Sequence, residues 1–164
     1  MIDEGVDLAV RVGVLPDSGL IARQIGQLNI YIVASPDYIA RYGEPQTPKD
    51  LAAHRCILDS SISQTGRWRY QAETGVRHIS VSGSVEVSNG ELVADFAADG
   101  LGIACLPDFI VADQLKSGKL VRVLKQYETA PVPISLVYPG NRIIKPAQRA
   151  LIELFVESAS FSYS

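Results

Sequence analysis

Along residues 28–124, short apolar runs alternate with helix-start signals, and this alternation constrains the fold more than any other feature of the chain. The run 28–34 ends at Ser35-Pro36, a serine N-cap followed by proline at the first helical position. Thr47-Pro48 repeats the pattern ahead of the run 56–58. Ser88-Asn89-Gly90-Glu91 is an S-x-x-E capping box, with Ser88 as the cap, ahead of the apolar positions Leu92, Val93, Phe96 and Ala97. Gly43, Gly100 and Gly118 stand where these helices, and a further one over 108–116, should stop. Strands are expected at 6–12, 21–24, 28–34, 56–58, 67–71, 76–81, 84–87, 101–106, 120–124 and 134–138. Gly26-Gln27 reads as a tight turn between two of them. A closing helix from Pro146 would turn Ala147, Ala150, Leu151, Leu154 and Phe155 to the core. Strands alternating with helices predict an α/β fold with a mostly parallel sheet.

Composition removes several classes of function. Hydrophobic residues at 47% and charged residues at 20% suit a globular domain and exclude a disordered chain. No apolar run approaches the ~18 residues of a membrane-spanning helix. With 15 Lys and Arg against 18 Asp and Glu, the net charge of −3 lacks the footprint of a nucleic-acid binder, so any DNA contacts are expected elsewhere. Cys56 and Cys105 sit in apolar runs and read as small buried hydrophobes. His54 and His78 are the only histidines and show no zinc spacing, so neither a metal nor a cofactor is expected. The N-terminus is acidic where a secretory signal would be basic, which points to the cytoplasm. There is no G-x-S-x-G elbow and no P-loop; Gly100-Leu101-Gly102 precedes a strand instead of following one. An enzyme is not expected.

Ligands of open α/β sheets sit beyond the carboxyl ends of strands and at helix N-termini. Three places qualify: Arg11, Gly13 and Val14 after the first strand; Leu58 and Asp59; and Ser88, Asn89 and Gly90. Each also has a structural reading. Arg11 is either a cation for a carboxylate or a strand residue that faces solvent or pairs with Asp7. Leu58 and Asp59 suit a structural role. If Ser88 and Glu91 supply the cap, Asn89 and Gly90 are left for ligand contact. His54 reads as a helix C-terminal residue facing the dipole, and Trp68 as core packing.

Several motifs occur in a telling order: Asp7-Leu8-Ala9-Val10-Arg11-Val12-Gly13, Ala34-Ser35-Pro36-Asp37-Tyr38, Thr47-Pro48-Lys49-Asp50-Leu51, Trp68-Arg69-Tyr70, Ser88-Asn89-Gly90, Asp99-Gly100-Leu101-Gly102-Ile103-Ala104-Cys105-Leu106-Pro107 and Gly118-Lys119-Leu120-Val121. Together, over residues 5–156, the chain resembles the effector-binding domain of LysR-type transcriptional regulators. The resemblance implies a type II periplasmic-binding-protein-like fold, with two α/β subdomains joined by two crossover strands around a small-molecule cleft. Residues 1–34 and 138–164 would form subdomain I, and 35–137 subdomain II. The family's winged helix-turn-helix and the opening βα units of subdomain I have no counterpart in the sequence, so subdomain I is expected to be incomplete and DNA to be bound only through the absent N-terminal domain. The implied partners are an anionic or aromatic small-molecule effector and further copies of the chain, as a homodimer or tetramer. The helix over 147–156 and the helix from Glu91 are candidate interface elements. No membrane partner is implied. The alternative on the same fold is a solute-binding protein of a transport system.

Overall fold

The structure, a computed structural model, describes residues 8–13, 20–61, 65–139, 149–150 and 152–154. In chain order its elements are β1 (Ala9–Val12), β2 (Leu20–Leu28), β3 (Ile30–Ala34), α1 (Pro36–Tyr42), β4 (Ile57–Asp59), β5 (Arg67–Ala72), β6 (Gly75–Ser80), β7 (Val85–Val87), α2 (Gly90–Ala98), β8 (Ala104–Pro107), α3 (Asp108–Lys116), β9 (Val121–Val123) and β10 (Val132–Pro139), with short 3-10 helices at Pro48–Ala53 and Lys125–Tyr127. The chain divides into two compact units, Met1–Leu28 with Pro131–Ser164, and Asn29–Ala130. The sequence suggested divisions after 34 and 137. In the structure β3 pairs with β8 and β9 of the second unit, and β10 pairs with β1 and β2 of the first.

The first unit holds an antiparallel sheet in the order β1-β10-β2. The turn expected at Gly26-Gln27 is not there. Strand β2 runs on to Leu28, and its register on β10 shifts where Ile134 faces Gly26 and Ser135 faces Gln24, which leaves Ile25 as the extra residue of a bulge. The glycine therefore marks a bend within a strand, and the chain breaks at Asn29 instead. In the closing helix the burial differs from expectation: Ile152 is buried, while Ala150 and Leu154 are exposed. Ala147, Leu151 and Phe155 lie outside the residues whose packing is described.

The second unit is built on strict alternation. Ile32, Ala34, Cys56, Leu58 and Ile103 face one core with Tyr38, Leu51, Trp68 and Val81. The residues between them, Val33, Ile57, Ala104 and Leu106, face the other core with Val93, Ala94 and Ala97 of α2 and Val111 of α3. One residue of register would exchange the two cores, so the pattern fixes the pairing.

The expectation of a mostly parallel sheet fails. Among the described strands the pairings are antiparallel, except β4 with β7 and an isolated parallel bridge between Cys56 and Ile103. The reason is an insertion. β8, α3 and β9 form a β-α-β unit with parallel strands, but β3 lies between the two strands and runs against both. Alternation in sequence gives the direction of neighbours in the chain, not the identity of neighbours in the sheet.

Helix boundaries follow local chemistry. Ser35 Oγ accepts from Tyr38 N at 3.1 Å and starts α1. Asp50 Oδ2 accepts from Thr47 N at 2.8 Å and Gln46 N at 3.0 Å at the first 3-10 helix. At α2 the cap is Asn89, not Ser88: Asn89 Oδ1 accepts from Leu92 N at 3.1 Å, one residue later than the S-x-x-E reading. Gly100, at φ +79°, ends the helix; its N–H reaches Ala97 O and the N–H of Leu101 reaches Phe96 O, both at 3.1 Å.

Candidate functional site at the carboxyl ends of β4 and β7

The parallel pair β4 and β7 brings Asp59 level with Val87, and Ser60 N donates to Val87 O at 2.9 Å. Both strands therefore end together, and Ser88 and Asn89 lead directly into α2. Asp59 is one of the few buried polar side chains, 7% exposed. Its Oδ1 accepts from Ser61 N at 2.9 Å and from Ser61 Oγ at 2.5 Å. Its Oδ2 faces the start of α2: a Cβ placed on Gly90 would stand 3.4 Å from that oxygen and 2.7 Å from Ile110 Cδ1 of α3. Glycine thus lets Ile110 and the Asp59 carboxylate pack closely against the start of the helix.

The chemistry of this place is two-sided. The first amides of a helix have no intrahelical acceptor, so Gly90 and Glu91 turn N–H donors outward at the positive end of α2. Asp59 and Glu91 set carboxylates beside them. A molecule bound here meets donors and acceptors together.

Of the residues singled out in the sequence, Asp59, Asn89 and Gly90 come together, with Ser88 exposed next to them. Leu58 turns its side chain into the core with Trp68 and Val81. Arg11 and Gly13 belong to the first unit: Arg11 is exposed on β1 opposite Ser135, and Gly13, at φ +111°, donates its N–H to Pro133 O at 2.9 Å. Val14 lies outside the described residues. Ser61 and Ile110 were not anticipated. Ser61 sits in a polar loop with no motif, and Ile110 reaches Gly90 only through tertiary packing.

His54 and Trp68 take structural places. The Tyr38 hydroxyl lies 3.2 Å from His54 Nδ1 and accepts from Arg55 N at 2.9 Å, and burial raises the Tyr38 pKa. Trp68 is 3% exposed in the core. Burial pushes the Cys56 thiol up to about 11 and Cys105 up to about 12. Among the described residues no group of His, Cys, Asp or Glu side chains is arranged to hold a metal ion, and no helix is long and apolar enough to cross a membrane.

The chain crosses twice between its two units. The family model described as the LysR substrate binding domain matches residues 1–160, and the chain belongs to that family. It is 32% identical over 158 residues to the HTH-type transcriptional regulator CrgA of Neisseria meningitidis serogroup C, covering 96% of this chain and 52% of that protein. It is 32% identical over 154 residues to the regulator DmlR of Escherichia coli K12, covering 93% of this chain and 50% of that protein. The chain thus spans about half the length of these relatives. The solved regulatory domain of CrgA from Neisseria meningitidis superposes with a TM-score of 0.75 at 31% identity, over 94% of this chain and 76% of that one. The full-length Vibrio cholerae virulence activator AphB superposes at 0.77 with 28% identity, over 93% of this chain and 52% of that one. The fold is the type II periplasmic-binding-protein-like fold of LysR regulatory domains, and the chain is an effector-binding domain of that family.

Proposed function

We propose that this domain senses a small polar metabolite, and that its Asp59, Ser61, Asn89 and Gly90 corner contributes one wall of the binding site. The carrying observation is a buried carboxylate, Asp59, packed against Gly90 in the first turn of α2. Such a corner selects a ligand with a hydroxyl or amine toward Asp59 and an acceptor, such as a carboxylate, toward the amides of Gly90 and Glu91. A small hydroxy- or amino-carboxylate has that chemistry.

The domain acts by binding, not by catalysis, in the cytoplasm. DNA is engaged through a helix-turn-helix portion of the regulator that this sequence does not contain. Copies of the domain associate, and the ligand favours one arrangement because it binds the two arrangements with different affinity. The test is a thermal-denaturation screen of the chain against small hydroxy-, amino- and unsubstituted carboxylates. The expected result is a rise in Tm with members carrying both groups. Equal response to all carboxylates, or to none, would overturn the proposed selectivity.

A further inference from the structure

The second unit carries two surfaces of opposite charge, one of which borders the proposed sensing corner at Glu91 and Ile110. The first is the outer face of the β5–β6 ribbon. Trp68 and Ile79 pair directly and turn into the core, so Arg67, Arg69 and His78 share the opposite, outward face. Arg69 and His78 stand opposite each other in register. Arg67 and His78 are exposed and Arg69 is half-buried. Among the described residues no carboxylate lies within ion-pair distance of these three; the ion pair that is formed joins Arg122 to Glu128. The ribbon holds Arg67 and Arg69 together, with His78 beside Arg69, without counter-charge.

The second surface is an open groove of about 350 Å3 between α2 and α3. Glu91, Asp95 and Asp113 line it, with Gln114, Ile110 and Phe109, and Phe109 is 67% exposed. Asp95 Oδ1 accepts from Gln114 Nε2 at 3.3 Å, which sets the carboxylate at the groove wall.

We propose that the ribbon of one copy docks in the α2–α3 groove of a second copy. The spacings agree. Arg67 and Arg69 are two residues apart on one strand, about 6.8 Å. Glu91 and Asp95 are one turn apart on one helix, about 6 Å. His78 stands about 5 Å across the ribbon from Arg69, and Asp113 projects from a helix whose axis is about 8–10 Å from that of α2. Val76, exposed two residues beyond His78, adds an apolar contact for the groove. A polyanion such as DNA is the weaker fit. Two arginines and a histidine make a short patch with no cationic track beyond it, on a chain of net charge −3.

The contact joins unlike surfaces, so it is heterologous and builds open chains or rings instead of a closed pair. Its footprint is well under the ~800 Å2 per partner of a stable interface, so it is weak, salt-sensitive and added to whatever else joins the copies. It rests on the self-association proposed above and refines it by naming the surfaces.

The test is a charge exchange read by sedimentation velocity over a range of concentration and salt. Arg69→Glu cancels the charge of Arg67 and leaves the ribbon face without net positive charge, and Asp113→Lys leaves the groove with Glu91 and Asp95 partly offset by a lysine. Each variant alone should associate about tenfold more weakly than the parent at low salt, with far-UV circular dichroism unchanged. An equimolar mixture should regain part of the association, because the unaltered ribbon of the Asp113→Lys chain then meets the unaltered groove of the Arg69→Glu chain. Association unchanged in both variants, or not regained on mixing, overturns this contact while leaving self-association standing. A chain that stays monomeric throughout overturns both. Duplex DNA bound in proportion to the ribbon charge, with association unmoved by Arg69→Glu, assigns the ribbon to a polyanion and also overturns the contact.

Discussion

Asp108 holds Asn29 at the residue where the chain enters its second unit. Asp108 Oδ2 accepts from the backbone N–H of Asn29 at 3.0 Å and from its side-chain amide at 2.9 Å, and Asp108 N–H donates to Asn29 O at 2.9 Å. The same carboxylate accepts from Phe109 N at 2.9 Å through Oδ1, within the first turn of α3. One side chain thus ties the crossover into β3 to the start of a helix. Asp108→Ala removes three accepted hydrogen bonds at a half-buried place. A loss of about 2 kcal/mol is expected in urea unfolding, with Asp108→Asn losing less.

Asn89 caps α2, so its substitution affects stability as well as binding. Asn89→Ala should cost about 1 kcal/mol of stability, and Asn89→Ser only a small part of that. Comparing ligand affinity in the two variants separates the cap from the contact. If both weaken binding equally, Asn89 touches the ligand; if only the alanine variant does, it acts through the helix start.

Gly102 lets two segments approach more closely than any side chain allows. A Cβ there would lie 2.5 Å from Arg55 O, and Gly83 meets Cys56 O in the same way from the other side. Gly102→Ala should destabilise the chain by about 3 kcal/mol or more, measured as a shift of the urea midpoint. Gly118→Ala, where nothing lies within 4 Å but φ is +75°, should cost about 1 kcal/mol, from backbone strain alone.

Desolvation, followed by the charges of Arg67 and Arg69, holds His78 below the ordinary imidazole range. The folded value lies below the unfolded one, so the unfolded chain takes up the proton first. The stability this group contributes is present above the unfolded pKa of about 6.5 and is lost as pH falls through that region. Arg69→Ala should raise the His78 pKa in an NMR titration. An unchanged value would place Arg69 too far from His78 for the charged ribbon face described here.

The second unit was largely legible in sequence because its signals are local. Ser35-Pro36, Gly100 and the short apolar runs over 28–34, 56–58 and 101–106 each act within a few residues, and they mark the helix start, helix stop and strands expected of them. What was missed depends on partners distant in the chain. Gly26 looks like a turn until β10 supplies a continuous ladder beside it. The insertion of β3 between β8 and β9 has no local trace. The cap at α2 slipped by one residue because Ser88 and Asn89 are both good caps, and β7 ending at Val87 leaves Asn89 as the residue with extended backbone at the helix start. At the site, the Asp59 and Asn89–Gly90 pieces were each visible, but their meeting required the parallel pairing of β4 with β7.

The proposed sensing site is tested most directly by mapping backbone amide shifts in the 15N-labelled chain during titration with a hydroxy- or amino-carboxylate that raises its Tm. The expected result is a saturable set of shifts at Ser60, Ser61, Asn89, Gly90 and Glu91, lost in Gly90→Ala, whose methyl group would enter the space beside Asp59 and Ile110. Shifts that saturate elsewhere while those five amides stay still, or that persist unchanged in Gly90→Ala, would contradict the assignment of the site to the carboxyl ends of β4 and β7.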